Sequence, residues 1–170
     1  MRILSAADIV ALATPAELIP AIAEAMRAVS AGKATMPVRT VTPLAGDNRL
    51  GIMPGFLSEP AVYGAKLVSL FPDNPRRGRS SHAGVMAIFD AETGLPKACL
   101  DASALTALRT AAASAIATDA LARSDASRLA ILGAGEEAHS HIPAIRAVRD
   151  IRDLAIWSRD PAKSAALAEQ

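Results

Sequence analysis

The stretch Arg128-Leu129-Ala130-Ile131-Leu132-Gly133-Ala134-Gly135-Glu136-Glu137-Ala138 decides the fold class of this 170-residue chain. It begins as a short apolar run, typical of a buried strand, and continues as the pattern G-x-G-x-x-A, which joins a strand to a helix. A second apolar run, Leu154 to Trp157, follows, and another helical pattern begins at Pro161. The order strand, helix, strand, helix predicts the start of a parallel α/β sheet.

The glycine pattern has the chemistry of a dinucleotide site. Gly133 permits a tight turn, Gly135 lets a pyrophosphate approach the backbone, and the small Ala138 allows close packing of helix on strand. The helix N-terminus then offers unpaired N–H groups and a positive dipole end to the phosphates. The predicted cofactor-binding segment is Gly133, Ala134, Gly135, Glu136 and Glu137. The two glutamates must point away from bound phosphates or they weaken binding, and a tight turn without a ligand is the alternative interpretation.

The end of the second strand indicates which dinucleotide is preferred. Ser158 follows Gly135 by 23 residues, near the position where an NAD site places an acidic side chain. Here the tip is Ser158-Arg159, and a hydroxyl beside a guanidinium suits a 2′-phosphate. We therefore expect NADP(H) to be favoured over NAD(H). The alternative is that Arg159 is a solvated charge and Asp160 binds the ribose.

The residues before this unit predict an α+β region. Thr14, Pro15 and Glu17 form a helix start, with Thr14 as N-cap, and Gly32 is a natural helix stop. Short strand patterns fill residues 35–100, with a hairpin at residues 90–94. An Ala-rich helix then begins at Asp101 or Ser103.

Three cations in this region stand among apolar or strand-forming residues. Lys66 shares a strand face with valines and leucine, Arg39 lies in a Val- and Thr-rich run, and Arg109 lies on the Ala-rich helix. A buried cation needs a counter-charge or a ligand. Each cation taken alone fits a salt bridge or a snorkelling side chain. Together they favour a shared anion site, and a substrate carboxylate is the simplest anion.

Composition excludes several function classes. Lys and Arg number 18 against 17 Asp and Glu, and aromatic residues make up only 3% of the chain, so a nucleic-acid-binding role is not expected. The longest apolar stretch, residues 102–117, contains Arg109 and is too short and polar to span a bilayer, so no membrane partner is expected. The single cysteine, Cys99, fits a reducing compartment, and we expect a cytoplasmic protein. The spacing of the histidines predicts no metal site.

Several blocks together resemble the ornithine cyclodeaminase/μ-crystallin family over essentially the whole chain. They are Tyr63-Gly64-Ala65-Lys66, His82 with Gly84, Phe89-Asp90-Ala91-Glu92-Thr93-Gly94, and Asp101 with Leu105-Thr106-Ala107-Leu108-Arg109-Thr110-Ala111-Ala112. The block from Leu105 to Ala112 is specific, and the glycine pattern falls where that family has its dinucleotide motif.

The resemblance implies an N-terminal α+β domain that binds substrate and forms a homodimer, followed by a Rossmann domain. We place these domains at residues 1–120 and 121–170, the latter being the first half of the Rossmann domain. The resemblance further implies that Arg39, Lys66 and Arg109 hold the substrate carboxylate, with Met53 and Thr110 nearby. Lys66 is the candidate for assisting proton transfer.

The resemblance implies an NAD(P)-dependent oxidoreductase that acts on a cyclic imine (ketimine) or an α-amino acid. Two alternatives stay open: ornithine cyclodeaminase proper, which recycles NAD, and a crystallin-like protein that binds NADPH without turnover. Two departures from the family matter. Glu137 stands where the family commonly has Gln, and the family is about twice as long, so we expect further protein and a catalytic Asp after Gln170.

Overall fold

A computed structural model describes residues 1–169 of the chain. The strands are β1 (Arg2–Leu4), β2 (Ala34–Thr35), β3 (Thr40–Pro43), β4 (Arg49–Ser58), β5 (Ala61–Leu70), β6 (His82–Asp90), β7 (Pro96–Asp101), β8 (Arg128–Leu132) and β9 (Asp153–Trp157). The helices are α1 (Ala6–Leu12), α2 (Pro15–Ser30), α3 (Ala102–Leu121), α4 (Glu136–Arg146) and α5 (Pro161–Ala168), with a short 3-10 helix at Asn74–Arg77.

These elements form two compact units. The first contains Met1–Leu12 and Glu24–Thr106, and the second contains Ala13–Ala23 and the residues from Ala107 onward. The mixed α/β composition agrees with the predicted fold class. The domain bounds at 1–120 and 121–170 stay a prediction.

A seven-stranded sheet forms the first unit. Its strand order is β1-β7-β6-β5-β4-β2. Strand β3 also pairs with β4, on the same edge as β2 but along a different segment of β4. The pair β1 and β7 is parallel, whereas the pairs from β7 through to β2 and β3 are antiparallel. The long strands β4, β5 and β6 therefore lie at the centre, where each has a partner on both sides.

Local capping chemistry determines where the first helices begin and end. Ser5 and Asp8 hydrogen-bond reciprocally at the start of α1, and the Thr14 N–H and hydroxyl both donate to Glu17 at the start of α2. The start of α2 is as predicted. The end of α2 is a Schellman motif, because Gly32 has a φ of +75° and the Lys33 N–H donates to the Ala28 carbonyl.

Strand β4 is longer than the candidate strand Leu50 to Met53. Its extension crosses Pro54 and Gly55, two residues that argue against a central strand. On one side both pair with β5, but on the other side they lie between the segments that pair with β3 and with β2. The strand therefore tolerates them at a gap in the neighbouring edge.

The second unit contains the predicted strand–helix–strand–helix series. Strands β8 and β9 are parallel, with Ile131 opposite Ile156. One apolar cluster packs α4 and α5 on this small sheet, and another joins α3 to α4. The first cluster contains Ala138, Ile142 and Leu167, and the second contains Ala111, Ala115 and Ala144. Alanine at these positions lets the helices approach closely.

Within residues 1–169 no single helix has both the length and the apolar composition needed to cross a membrane. The bent pair α1 and α2, with a 90° angle between its helices, meets both criteria when the two are taken together.

Candidate functional site

Lys66 lies at the centre of a row that crosses the large sheet. It is directly opposite Met53 on β4 and Met86 on β6, so the three side chains share one sheet face. The Lys66 Nζ atom donates a hydrogen bond of 3.3 Å to the Thr106 hydroxyl on α3. The structure therefore places Met53 beside Lys66 and adds Thr106 as a contact, and the role of these residues in a substrate site stays a prediction.

Arg39 lies one residue before β3, in an extended segment. Because Thr40 pairs with Ile52, continuation of the same register would place Arg39 opposite Met53. Arg39 would thus extend the row that contains Lys66, although it is not part of a strand.

The expectation of three buried cations is wrong. Arg39 and Arg109 are exposed, and Lys66 is half-buried. Arg39 is exposed because it precedes the paired part of β3 at an edge of the sheet, and Arg109 because its side chain leaves α3 on an accessible face. Because both guanidinium groups are exposed to solvent, neither requires a counter-ion in this chain. Any role of Arg39 and Arg109 in binding an anion therefore depends on their position and charge.

The specific block of the sequence forms the first half of α3. The Asp101 carboxylate accepts a hydrogen bond of 2.8 Å from the Ala104 N–H and caps the helix, which resolves the choice between Asp101 and Ser103. Arg109 and Thr110 follow Thr106 by three and four residues, which is one helical turn. The helix therefore presents Thr106, Arg109 and Thr110 along one face.

Sequence reasoning missed Thr106 as a contact of Lys66. The two residues are 40 positions apart, so no local pattern joins them. The available indication was the position of Thr106 one turn before Arg109, on a helix face with few other polar side chains.

The turn between β8 and α4 has the predicted geometry. Gly133 has a φ of +124°, a region that side-chain-bearing residues rarely adopt, and its N–H donates 2.7 Å to the Trp157 carbonyl at the end of β9. Gly135 is the N-cap of α4, and a Cβ atom placed on it would meet no atom within 4 Å. Ala134 packs against the apolar cluster that contains Ala138. The backbone at the start of α4 is thus open to an approaching group.

The side chain of Glu137 lies along α4, towards His141. Its Oε2 atom is 3.7 Å from His141 Nδ1, and the same Nδ1 donates 2.7 Å to the Glu137 carbonyl. The other ring nitrogen, Nε2, is 3.0 Å from the Ser114 hydroxyl on α3. Since a carbonyl only accepts, Nδ1 carries the proton, and in the neutral ring Nε2 accepts from Ser114. Glu136 is exposed in the first turn.

The tip of β9 has hydrogen bonds within its own turn. The Ser158 hydroxyl donates 2.7 Å to the Asp160 carbonyl, so its single proton is already used, and its oxygen lies 2.7 Å from the Ser164 hydroxyl. The Ser158 hydroxyl thus donates within the turn that leads to α5, and its role towards a cofactor stays a prediction. The Asp160 carboxylate accepts from the Ala162 and Lys163 N–H groups as the N-cap of α5, and Arg159 is exposed.

No group of three or more His, Cys, Asp or Glu side chains is placed to hold a metal ion in the part of the chain that the structure describes.

Comparison with known proteins places this geometry in context. The sequence model of the ornithine cyclodeaminase/mu-crystallin family matches residues 1–170. A Δ(1)-pyrroline-2-carboxylate reductase of Bacillus cereus is 36% identical over 170 residues, which cover 99% of this chain and 52% of that protein. The chain thus spans about half the length of the curated relatives it matches.

Two solved structures are also similar. The Δ(1)-pyrroline-2-carboxylate reductase of Thermococcus litoralis, in complex with NADH and L-proline, has a TM-score of 0.94 and 32% identity over 100% of this chain and 53% of its own. An archaeal alanine dehydrogenase dimer with bound NAD has a TM-score of 0.92 and 31% identity over 99% of this chain and 52% of its own.

Proposed function

This chain belongs to the ornithine cyclodeaminase/mu-crystallin family, and on that premise we propose that the protein is an NAD(P)-dependent oxidoreductase. Its substrate is a cyclic imine that carries a carboxylate, of the Δ(1)-pyrroline-2-carboxylate type, or the corresponding α-amino acid. The observation that carries the proposal is the open glycine turn between β8 and α4, in a chain whose relatives include an imine reductase and a structure with bound NADH.

The residues of this turn fit a dinucleotide. The positive φ of Gly133 turns the chain out of β8, and the space beside Gly135 leaves room for a pyrophosphate at the first N–H groups of α4. The bound nicotinamide supplies or accepts the hydride. The backbone of Gly135, Glu136 and Glu137 holds the phosphates.

The substrate carboxylate is assigned to Lys66, Arg39 and Arg109. An ammonium ion and two guanidinium groups offer charge-assisted hydrogen bonds, and a guanidinium can bind a carboxylate in a bidentate way. The hydrogen bond to Thr106 orients the Lys66 ammonium group on the sheet face shared with Met53. In imine reduction, Lys66 is also the group that assists delivery of a proton to the ring nitrogen.

A turnover assay of the whole protein tests the proposal. We expect Δ(1)-pyrroline-2-carboxylate to be reduced to proline with consumption of one equivalent of NAD(P)H. We expect Lys66→Met to lower kcat/KM roughly 10- to 150-fold, the loss expected for about 1.5–3 kcal/mol from one charge-assisted contact. Lys163→Met, which removes the same charge from the exposed first turn of α5, is the matched control.

Other outcomes of this assay favour other functions. Release of ammonia from ornithine with no net change in NAD would identify an ornithine cyclodeaminase. Tight NADPH binding with no turnover of imines or amino acids would identify a crystallin-like binding protein. Either result would contradict the reductase proposal.

We further propose that NADP(H) is favoured over NAD(H). The Asp160 carboxylate is committed to the α5 N-cap, which leaves it poorly available to a ribose diol, while the exposed Arg159 is available to pair with a 2′-phosphate. The similar structures hold NADH and NAD, so this preference rests on the local chemistry of this chain alone.

Fluorescence titration with the two cofactors tests the preference. We expect NADPH to bind about 10- to 150-fold more tightly than NADH, and Arg159→Ala to remove most of that difference. Arg152→Ala, an exposed arginine paired with Asp150, is the control for loss of one positive charge. Equal affinities of the unsubstituted protein for both cofactors would refute the role of Arg159.

A homodimer and a cytoplasmic location complete the proposal. A dimer occurs in the similar alanine dehydrogenase structure, and we assign the dimer contact of this protein to its N-terminal region.

A further inference from the structure

The proposed cofactor site contains an electrostatic conflict. Glu136 and Glu137 occupy the first turn of α4, where the helix would receive a pyrophosphate. Carboxylates here stabilise the helix by complementing its dipole, but they repel a second anion at the same end. Glu137 is thus a second carboxylate that the same helix end has to accommodate.

The contacts of His141 offer a physical solution to this conflict. Its ring is fixed at both nitrogens, by the Glu137 carbonyl at Nδ1 and by the Ser114 hydroxyl at Nε2. The Nδ1–H edge, which is positively polarised, lies 3.7 Å from the Glu137 carboxylate. The His141 side chain is 21% exposed and that of Glu137 is 52% exposed, so the histidine is the more constrained partner.

We propose that His141 is a positioning residue for cofactor binding: it draws the Glu137 carboxylate one turn along α4, away from the N–H groups that receive the pyrophosphate. Ser114 supports this role from α3 because it fixes the orientation of the imidazole ring. The spacing of four residues, with the acidic partner N-terminal, is the favourable arrangement for such a pair on a helix. The role rests on the proposed dinucleotide site at the start of α4.

A double-mutant cycle on the whole protein, with NADPH affinity measured by fluorescence titration, tests the role. We expect His141→Ala to weaken NADPH binding by about three- to tenfold. Without the imidazole, the Glu137 carboxylate can lie near the phosphate site, where solvent screens its repulsion of the phosphates only in part. Glu137→Gln in the His141→Ala background should restore the affinity of the Glu137→Gln protein. Ser114→Ala should shift the affinity in the same direction as His141→Ala, by a smaller factor.

Controls separate this role from simple destabilisation. Arg146→Ala removes an exposed charged side chain from the last turn of the same helix, and Glu169→Gln removes one negative charge from the end of α5. Neither should change the affinity by more than about twofold, since both lie outside the contact. If His141→Ala is unfolded at the assay temperature, His141→Phe, which keeps an aromatic ring but has no N–H donor, replaces it in the cycle.

Two results overturn the inference in distinguishable ways. Independent, additive effects of His141→Ala and Glu137→Gln in a protein that binds NADPH would refute the role of His141 and leave the cofactor site standing. Failure of the unsubstituted protein to bind either NADPH or NADH would refute the cofactor site, and the role of His141 with it. The coupling between His141→Ala and Glu137→Gln in NADPH affinity should also shrink as the salt concentration rises. The loss of a packing contact would not depend on salt.

Discussion

At the scale of single residues, the two glycines of the nucleotide turn have different physical functions. Gly133 has a φ of +124° and is required by the backbone, whereas Gly135 has a φ of −101°, which any residue can adopt. The absence of a side chain at Gly135 therefore leaves space rather than relieving strain. This distinction separates the stability of the turn from its capacity to bind a ligand.

Alanine substitutions should separate these two functions. We expect Gly133→Ala to lower the free energy of unfolding by about 1–3 kcal/mol, the usual cost of such a strained backbone conformation. Gly135→Ala should cost less than about 1 kcal/mol of stability, as an N-cap change, but should weaken NADPH binding because its methyl group occupies the phosphate approach. Chemical denaturation and cofactor titration of both variants check this. Equal losses of stability in the two variants would contradict it.

At the scale of elements, the hairpin between β6 and β7 is closed by one carboxylate. Asp90 accepts hydrogen bonds from the Thr93 N–H, the Thr93 hydroxyl and the Glu92 N–H, and it forms an ion pair with Lys97. The Thr93 hydrogen bonds, followed by Lys97, lower the pKa of Asp90 from 3.8 to about 2. Gly94, with a φ of +72°, completes the predicted turn.

The lowered pKa of Asp90 predicts a stability that depends on pH. A carboxylate with a lowered pKa in the folded state contributes stability fully above its ordinary pKa of 3.8 and loses that contribution as the pH falls through about 2. We expect Asp90→Ala to reduce the free energy of unfolding near neutral pH, and the difference from the unsubstituted protein to shrink towards pH 2. Urea unfolding followed by circular dichroism at several pH values measures this.

Asp47→Ala is the control for this prediction, because the Asp47 carboxylate accepts no hydrogen bond within residues 1–169. The free energy of unfolding of Asp90→Ala could instead differ from that of the unsubstituted protein by the same amount from neutral pH down to about 2. That result would show that the hairpin hydrogen bonds do not depend on the charge of the Asp90 carboxylate.

At the scale of the whole molecule, most elements could be predicted from local chemistry. Contacts between residues far apart in the sequence could not be predicted. Helix starts at Ser5, Thr14 and Asp101 follow from capping side chains, which act over three residues. The parallel pairing of β1 with β7 could not be predicted, since it joins residues nearly a hundred positions apart. The Lys66–Thr106 contact was missed for the same reason. The three cations were selected by residue type, and their role stays a prediction. Their exposure could not be predicted, because it depends on strand edges and helix faces that a sequence pattern does not define.

The last prediction concerns the assembly of the whole protein. Val38 is 93% exposed in the segment between β2 and β3, and Met36 beside it is 62% exposed. Burying such apolar surface against a second copy would stabilise a dimer, and a charge placed in the contact would have to be desolvated. We therefore expect the protein to sediment as a dimer and Val38→Glu to shift it towards monomer. Leu121→Glu, at an 84% exposed position at the end of α3, should leave the dimer intact. A protein that sediments only as a monomer at every concentration, or a dimer weakened equally by both substitutions, would contradict a contact through the N-terminal region.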